Sequence, residues 1–442
     1  MSKQDQKELR QQIACEWLEE NYLQFGSLRH DVVTDRLQIR MADSLEDGSA
    51  YSLEFRGKEN WRNLTDKDIN TMVCQCVAEK GVNISTNEMW TALKSDMVPA
   101  VHPLRAWLDG LRPYTADQPD WIDMVAQQVK VKPSGEEAKG DKARGEELWR
   151  ACFKKWFVAM VASWMKDEVV NHTVLVLVGR QGIFKTTWLD KLIPPELRAY
   201  SSKLPLSGQI SKDDRLRLCE NGMLNIDELD AMCGREMNIV KSLLTSTDVN
   251  ERAAYGRLKE RRVRLASFCA STNKREFLTD ITGNRRWLPF EVESIQNPFH
   301  TIIPYERLYA QAKALVEEGI FSYWFDMEEM EVLEAHNEEF RALENEEQLL
   351  PILFDIPAEG KGEFMTTAEI SDRLVSHGGI KKPMSTRQLG VIMGKMGFQK
   401  AQVRISGTCV RGWIVYKRDQ DEITSAKRIG ASDALMQRCD IY

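Results

Sequence analysis

The chain has 442 residues, 43% hydrophobic and 29% charged, a balance that supports packed cores and excludes a disordered polyampholyte. Its 60 Lys and Arg against 67 Asp and Glu give a net charge of -7, which excludes a uniformly basic protein but leaves room for local basic surfaces. No apolar run approaches the roughly 18 residues of a membrane span. The opening Met-Ser-Lys-Gln-Asp-Gln-Lys-Glu has no apolar core for secretion, and nine cysteines without CxxC spacing read as reduced thiols, so a cytoplasmic protein with no membrane partner is expected.

At about 150 residues per domain the length predicts two to four domains. Asp35–Met41 and Tyr51–Phe55 alternate like strands that pair across the polar 42–50 stretch, giving a small α/β segment over 1–60. Asp66–Lys80 and Thr86–Lys94 read as amphipathic helices in a helical domain over 61–130. Residues 131–147 have almost no large apolar side chains and form a linker. Leu148, Cys152, Trp156, Met160 and Trp164 then recur every fourth position, a long amphipathic helix that opens a domain over 148–298. Within that domain Val174–Val178, Met223–Ile226, Val263–Ala270 and Trp287–Val292 are short apolar runs between helical or loop segments. Such alternation predicts an α/β fold on a largely parallel sheet. Residues 326–347 carry ten acidic residues and one Arg, a solvated helical connector within 299–345. Residues 380–418 reverse this, with nine Lys or Arg and no acid. The tail over 419–442 has no assignable role.

Val174–Val178 leads into Gly179-Arg180-Gln181-Gly182-Ile183-Phe184-Lys185-Thr186-Thr187. Strand, tight loop and helix start are the setting of a phosphate-binding P-loop, whose backbone N–H groups face phosphates. In that reading Lys185 reaches the β- and γ-phosphates of ATP and the Thr186 hydroxyl joins the shell of Mg²⁺. The pattern wants Gly where Phe184 stands, and an ordinary strand–turn–helix corner containing Lys-Thr is the alternative. Downstream, Met223–Ile226 ends in Asp227-Glu228, where Asp227 would hold the metal and Glu228 would orient or deprotonate the attacking water. The strand over Val263–Ala270 ends in Ser271-Thr272-Asn273, with Asn273 placed to hold the lytic water or read the γ-phosphate. Arg285 and Arg286 precede the last strand and suit transition-state charge. Together these signals predict an NTPase.

Two basic stretches point to nucleic acid. Glu251–Arg264 carries six positive and two negative charges around Tyr255-Gly256, and a hairpin there would put Arg257, Lys259 and Arg261 at its tip. Over 346–418, Gln348–Phe354, Ala368–Ser376 and Arg387–Met396 read as helices. Gln399–Ile405 and Val410–Tyr416 flank the turn Ser406-Gly407. Three helices and a hairpin make a winged-helix plan, in which Arg387, Lys395, Arg404 and Arg411 face DNA. Protein docking is the alternative use of such a module.

The loop Gly179–Thr187, Asn225-Ile-Asp227-Glu228, the Arg252–Arg264 segment, Ser271-Thr-Asn273 and Thr282-Gly-Asn-Arg285-Arg286 together resemble the virulence-associated protein E family. So does Val101-His-Pro-Leu-Arg-Ala-Trp-Leu108 upstream. These are P-loop NTPases of bacterial phages, plasmids and genomic islands, similar to superfamily 3 replicative helicases, and the resemblance spans roughly residues 60–295. It implies an AAA+-like core preceded by a helical region and followed by a winged-helix domain. It also implies assembly into hexameric rings, ATP and Mg²⁺ as cofactors, and translocation on single-stranded or forked DNA. Lys185 and Thr186 would bind phosphate and metal, Asp227 and Glu228 would form Walker B, and Asn273 would be the sensor. Arg285 or Arg286 would be the finger or sensor arginine, a finger being supplied in trans. The first sixty residues are too few for the primase that larger relatives carry, so priming falls to a separate protein. The rival readings are a DNA-bound ATPase switch acting as initiator, loader or phage-defence factor, and a non-enzymatic winged-helix regulator with a degenerate P-loop.

Overall fold

The computed structural model of the chain describes residues 2–40, 61–133, 142–204, 211–227, 229, 234–251, 260–278, 284–343, 345–358, 362–378, 380, 383–405 and 408–426. They fall into two compact units, Met1–Phe277 with Thr282–Phe340, and Leu278–Ile281 with Arg341–Tyr442. Among the described residues no helix is long and apolar enough to cross a membrane.

The first unit opens with helix Lys3–Leu18, whose N-terminus Ser2 and Asp5 cap reciprocally. Strands β1 (Leu28–Asp31), β2 (Arg36–Arg40), β3 (Trp61–Asn63) and β4 (Ala100–Val101) form a sheet in the order β3-β2-β1-β4. β2 falls where the alternation put a strand, but its partners are β1 and β3. The expected partner Tyr51–Phe55 lies outside the described residues. Helices Asp66–Lys80 and Thr86–Leu93 stand where their periodicity put them, each begun by a capping box, Thr65 with Asp68 and Ser85 with Glu88. Fully buried Asp31 accepts hydrogen bonds from Val33 N–H at 2.9 Å and from the Tyr200 hydroxyl at 2.8 Å. That second bond ties the amino-terminal sheet to the larger one.

The larger sheet has six strands. Its strands are β5 (Val129–Val131), β6 (Val174–Val178), β7 (Ser201–Lys203) and β8 (Met223–Ile226). After a two-stranded ribbon, β9 (Asp248–Glu251) with β10 (Glu260–Val263), the chain returns as β11 (Ser267–Thr272) and β12 (Trp287–Ile295). The order is β5-β12-β6-β11-β8-β7, parallel except for the edge strand β5. Every residue of β6, β8 and β11 is buried, as a parallel sheet covered on both faces requires.

Helix Lys142–Met165 lays Trp149, Phe153, Trp156, Phe157, Met160 and Trp164 into this core. The indole N–H groups of Trp149, Trp156 and Trp164 find the carbonyls of Ala126, Phe268 and Gly222 at 2.9–3.1 Å. At Gly222 a Cβ would stand 2.7 Å from the Trp164 ring, so only glycine lets that tryptophan seat. The helix starts at Lys142, ahead of Leu148 and inside the stretch read as linker.

Two expectations are corrected. The run Val263–Ala270 is not one strand: β10 stops at Val263 and β11 starts at Ser267. Between them the fully buried guanidinium of Arg264 donates to the carbonyls of Asn171, Leu243, Leu244, Ser246 and Ala266 at 2.8–3.3 Å. Gathering five carbonyls requires the backbone to break from a straight strand. Burial pushes the Arg264 pKa down to about 9, so it keeps its charge at neutral pH. The acidic helix Met327–Asn337 is not wholly solvated either, because it buries Leu333, His336 and Asn337. His336 Nε2 donates to Pro289 O at 2.6 Å, and burial holds its pKa below the usual histidine value.

The second unit has helices Asn345–Leu353, Thr367–Gly378 and Thr386–Lys395 and strands β13 (Phe354–Asp355), β14 (Glu363–Met365), β15 (Gln399–Ile405) and β16 (Thr408–Lys417). β16 pairs with β13, β14 and β15, all antiparallel. Leu350, Leu353, Ile370, Leu374, Leu389, Ile392, Met393 and Trp413 form its core. The three helices and the hairpin stand where the sequence put them. The turn residues Ser406 and Gly407 lie outside the described residues, and the short strands β13 and β14 were not expected.

Candidate functional site

After Val178 the chain turns sharply, with φ 153° at Gly179 and 86° at Gly182. Gly179 N–H donates to Thr272 O at 3.1 Å, and a Cβ at Gly179 would stand 3.2 Å from Val292 O, so the loop lies tight against β11 and β12. Arg180, Gln181 and Gly182 are exposed, while Ile183 and Thr187 are half-buried. Phe184 precedes helix Lys185–Asp190 with φ 68° and ψ 17°. This left-handed conformation costs a side-chain-bearing residue about 1–2 kcal/mol. Its ring meets Phe299 edge-on, centroids 6.2 Å apart, and the Lys191 ammonium lies 4.8 Å over the Phe299 ring.

Lys185 is only 6% exposed. Its ammonium donates to Gly179 O at 2.6 Å, Arg180 O at 2.8 Å and Asn273 Oδ1 at 3.1 Å. The Thr186 hydroxyl lies 3.3 Å from Asp227 Oδ1 and 2.9 Å from Ser271 Oγ, and Ser271 itself donates to Asp227 Oδ1 at 3.3 Å. Asn225 Nδ2 donates to Asp190 Oδ1 at 2.7 Å, fastening the helix to β8. Lys185, Thr186, Asp227, Ser271 and Asn273 stand at the carboxyl ends of β6, β8 and β11, the end of an open parallel sheet at which ligands bind. On the far side of Asp227, Lys203 Nζ lies 2.6 Å from Oδ2. Burial pushes the Asp227 carboxyl upward, but the Lys203 hydrogen bond and charge, with Ser271 and Thr186, outweigh it and hold Asp227 below the usual carboxylate range.

The structure brings Lys185, Thr186, Asp227 and Asn273 together. It adds Ser271 and Lys203, which the sequence reading missed. Arg285 and Arg286 are elsewhere. β12 runs parallel to β6 with Trp287 opposite Val174, whereas the loop follows Val178. The turn Asn284–Arg286 therefore stands at the amino end of the sheet, roughly 13 Å of strand away from the loop. Arg285 is exposed and Arg286 half-buried, and Asn337 Nδ2 fixes their turn by donating to Asn284 O at 2.8 Å and Trp287 O at 2.9 Å.

Glu228, Arg257 and Lys259 lie outside the described residues. Arg261 sits on the β9–β10 ribbon, 76% exposed and 2.7 Å from Asp248. In the second unit Arg387, Lys395, Arg404 and Arg411 are all exposed. Arg387, Val391 and Lys395 form a row at every fourth position of their helix, with Val391 itself 40% exposed. Pairing of Arg404 with Cys409 and of Gln402 with Arg411 puts both arginines on the hairpin face that carries Trp413. Added Cβ atoms on Gly390 and Gly394 would contact Trp413 at 3.7 and 3.8 Å, so that face is the one against helix Thr386–Lys395.

The chain is thus an α/β protein whose polar site gathers at the carboxyl ends of a parallel sheet. Residues 141–342 match the virulence-associated protein E-like domain. Among solved structures it is similar to the apo C-terminal region of NrS-1 (residues 305–718 of that protein). The TM-score there is 0.43 at 11% identity, covering 89% of this chain and 97% of that one. An A-form apo structure of the same region gives a TM-score of 0.40 at 11% identity, covering 88% and 96%. No curated protein matches the chain.

Proposed function

We propose that the chain is a Mg²⁺-dependent ATP hydrolase that assembles into a ring and moves on DNA during replication of a phage, plasmid or genomic island. In this reading residues 148–298 are a P-loop NTPase domain of AAA+ type and residues 346–418 a winged-helix DNA-binding domain. The observation that carries the reading is the convergence of the Lys185–Thr186 loop on Asp227, two sequence-distant segments meeting at 3.3 Å at the carboxyl edge of parallel strands.

The donor set fits a small hard cation. Asp227, Thr186 and Ser271 offer oxygens from one side, and Mg²⁺ characteristically takes one or two protein oxygens together with phosphate and water. The bound metal would neutralise charge on the β- and γ-phosphates. Lys185 would exchange the carbonyls of Gly179 and Arg180 for phosphate oxygens, and its near-complete burial would strengthen that contact. Asn273, now 3.1 Å from Lys185, would face the terminal phosphate, and Glu228 would take the proton of the attacking water. Arg285 and Arg286 stand too far from Lys185 to serve their own chain's site. In the ring that the resemblance implies, they would serve a second copy's.

The test is ATP turnover with and without single-stranded DNA, beside Lys185→Ala. Turnover that DNA stimulates and the substitution removes is expected. Equal turnover in Lys185→Ala would sink the loop assignment. No turnover in the wild-type chain would leave the non-enzymatic DNA-binding regulator as the better reading.

A further inference from the structure

Resting on that reading, we infer that Lys203 is a latch on the metal position: its ammonium and the divalent cation compete for the same carboxylate, Asp227. The contact is direct, Nζ to Oδ2 at 2.6 Å. Both Oδ atoms of Asp227 are engaged. Thr186 and Ser271 share Oδ1, and Lys203 holds Oδ2. A cation drawn to Asp227 from the loop side meets an oxygen set that Lys203 has already neutralised.

The backbone on both sides of this contact is held in place. β7 is held in register against β8, Lys203 opposite Asn225, and Leu204 N–H continues the ladder to Asn225 O at 3.0 Å. Arg217 Nη1 holds the Lys203 carbonyl at 3.0 Å. Asp227 follows directly on β8, which β11 and β7 flank. The Lys203 side chain, in contrast, is 58% exposed and that of Asp227 is 34% exposed. An ammonium on a flexible stem in partly aqueous surroundings can swing out without disturbing the sheet. Lys203 thus keeps Asp227, next in sequence to the acidic Glu228, from standing uncompensated, and yields when the stronger charge of a divalent cation arrives. The closed pair imposes a threshold on metal loading, and removing the ammonium lowers it.

The experiment is a Mn²⁺ titration followed by the free-ion EPR signal, Mn²⁺ standing in for Mg²⁺, on the full chain with saturating ADP. Wild type, Lys203→Met and Lys203→Arg are compared, and ADP affinity without metal is measured in each. Lys203→Met is expected to bind Mn²⁺ roughly two- to fivefold more tightly, the range a partly exposed ion pair supports. Lys203→Arg should track the wild type, and metal-free ADP affinity should not change. In an Asp227→Asn background Lys203→Met should make no difference. Equal or weaker Mn²⁺ binding by Lys203→Met, with ADP still bound, would overturn the latch alone. So would a gain that survives Asp227→Asn. Failure of the wild-type chain to bind ADP at all would overturn the latch together with the nucleotide reading beneath it.

Discussion

Thr186 and Asp227 are 41 residues apart in sequence and 3.3 Å apart in space. Neither β6 nor β8 brings this about alone. β11 lies between them, and its Ser271 hydroxyl touches both partners, at 2.9 Å and 3.3 Å. The middle strand is therefore the spacer of the site. Its all-buried, small-residue end, Ala270-Ser271-Thr272, lets the loop's helix sit close to the neighbouring strand.

Phe184 holds a conformation that glycine adopts freely. Phe184→Gly should raise stability by about 1 kcal/mol through relief of the left-handed backbone, less whatever its edge contact with Phe299 contributes. On the nucleotide reading it should also tighten ATP binding, since the loop gains freedom to approach phosphate. Urea denaturation and equilibrium nucleotide binding check the two effects separately. A loss of stability would mean that the Phe184–Phe299 contact outweighs the strain.

Much of this arrangement was legible in the sequence, for identifiable reasons. β6 and β8 are continuous apolar runs bounded by polar residues, and their limits match the expectation residue for residue. The capping boxes mark helix starts in the same local way. What escaped detection depends on tertiary partners. Lys203 ends a three-residue edge strand, Ser-Ser-Lys, with no hydrophobic signature, and nothing local says that Asp227 is its neighbour. Arg264 sits inside an apparently apolar run and breaks it, because four of the five carbonyls that satisfy it come from distant segments. The strand order places Arg285 and Arg286 at the amino end of the sheet, and order is a property of the folded chain alone.

The β9–β10 ribbon carries Arg261 in an exposed pair with Asp248. Such a pair contributes at most about 1 kcal/mol. Lys259→Ala combined with Arg261→Ala should leave the unfolding midpoint nearly unchanged while abolishing stimulation of ATP turnover by single-stranded DNA. DNA stimulation that survives the double substitution would remove the ribbon from the DNA path.

His102 caps helix Pro103–Asp109, its Nδ1 accepting from Arg105 N–H at 3.3 Å. Burial first, and the Arg105 charge next, pull its pKa from 6.5 down to about 4. The unfolded chain takes up a proton as pH falls through 6.5, and the folded chain resists until about 4. The stability this gives is therefore complete above pH 6.5 and is lost progressively toward pH 4, by about 2 kcal/mol after allowance for partial exposure. His102→Asn keeps a capping oxygen and removes the titration. Denaturation at pH 7.5 and pH 4.5 should show a correspondingly smaller difference in the variant.

Arg404 and Arg411 share one face of the β15–β16 hairpin. If each contacts a phosphate, replacing both with Ala should reduce the slope of log affinity against log salt by about 2. A salt titration of duplex binding measures this directly. An unchanged slope would mean that the module docks onto protein rather than DNA.

Arg264 makes the base of the basic ribbon a fulcrum. The residue follows β10 immediately, and its guanidinium clamps the carboxyl end of helix Gly234–Thr245, the lead-in to β6 at Asn171 and the lead-in to β11 at Ala266. Releasing it would abandon five carbonyls and leave a buried charge unpaired, at several kcal/mol. One buried side chain thus joins the foot of β10 to the segments that run into β6 and β11.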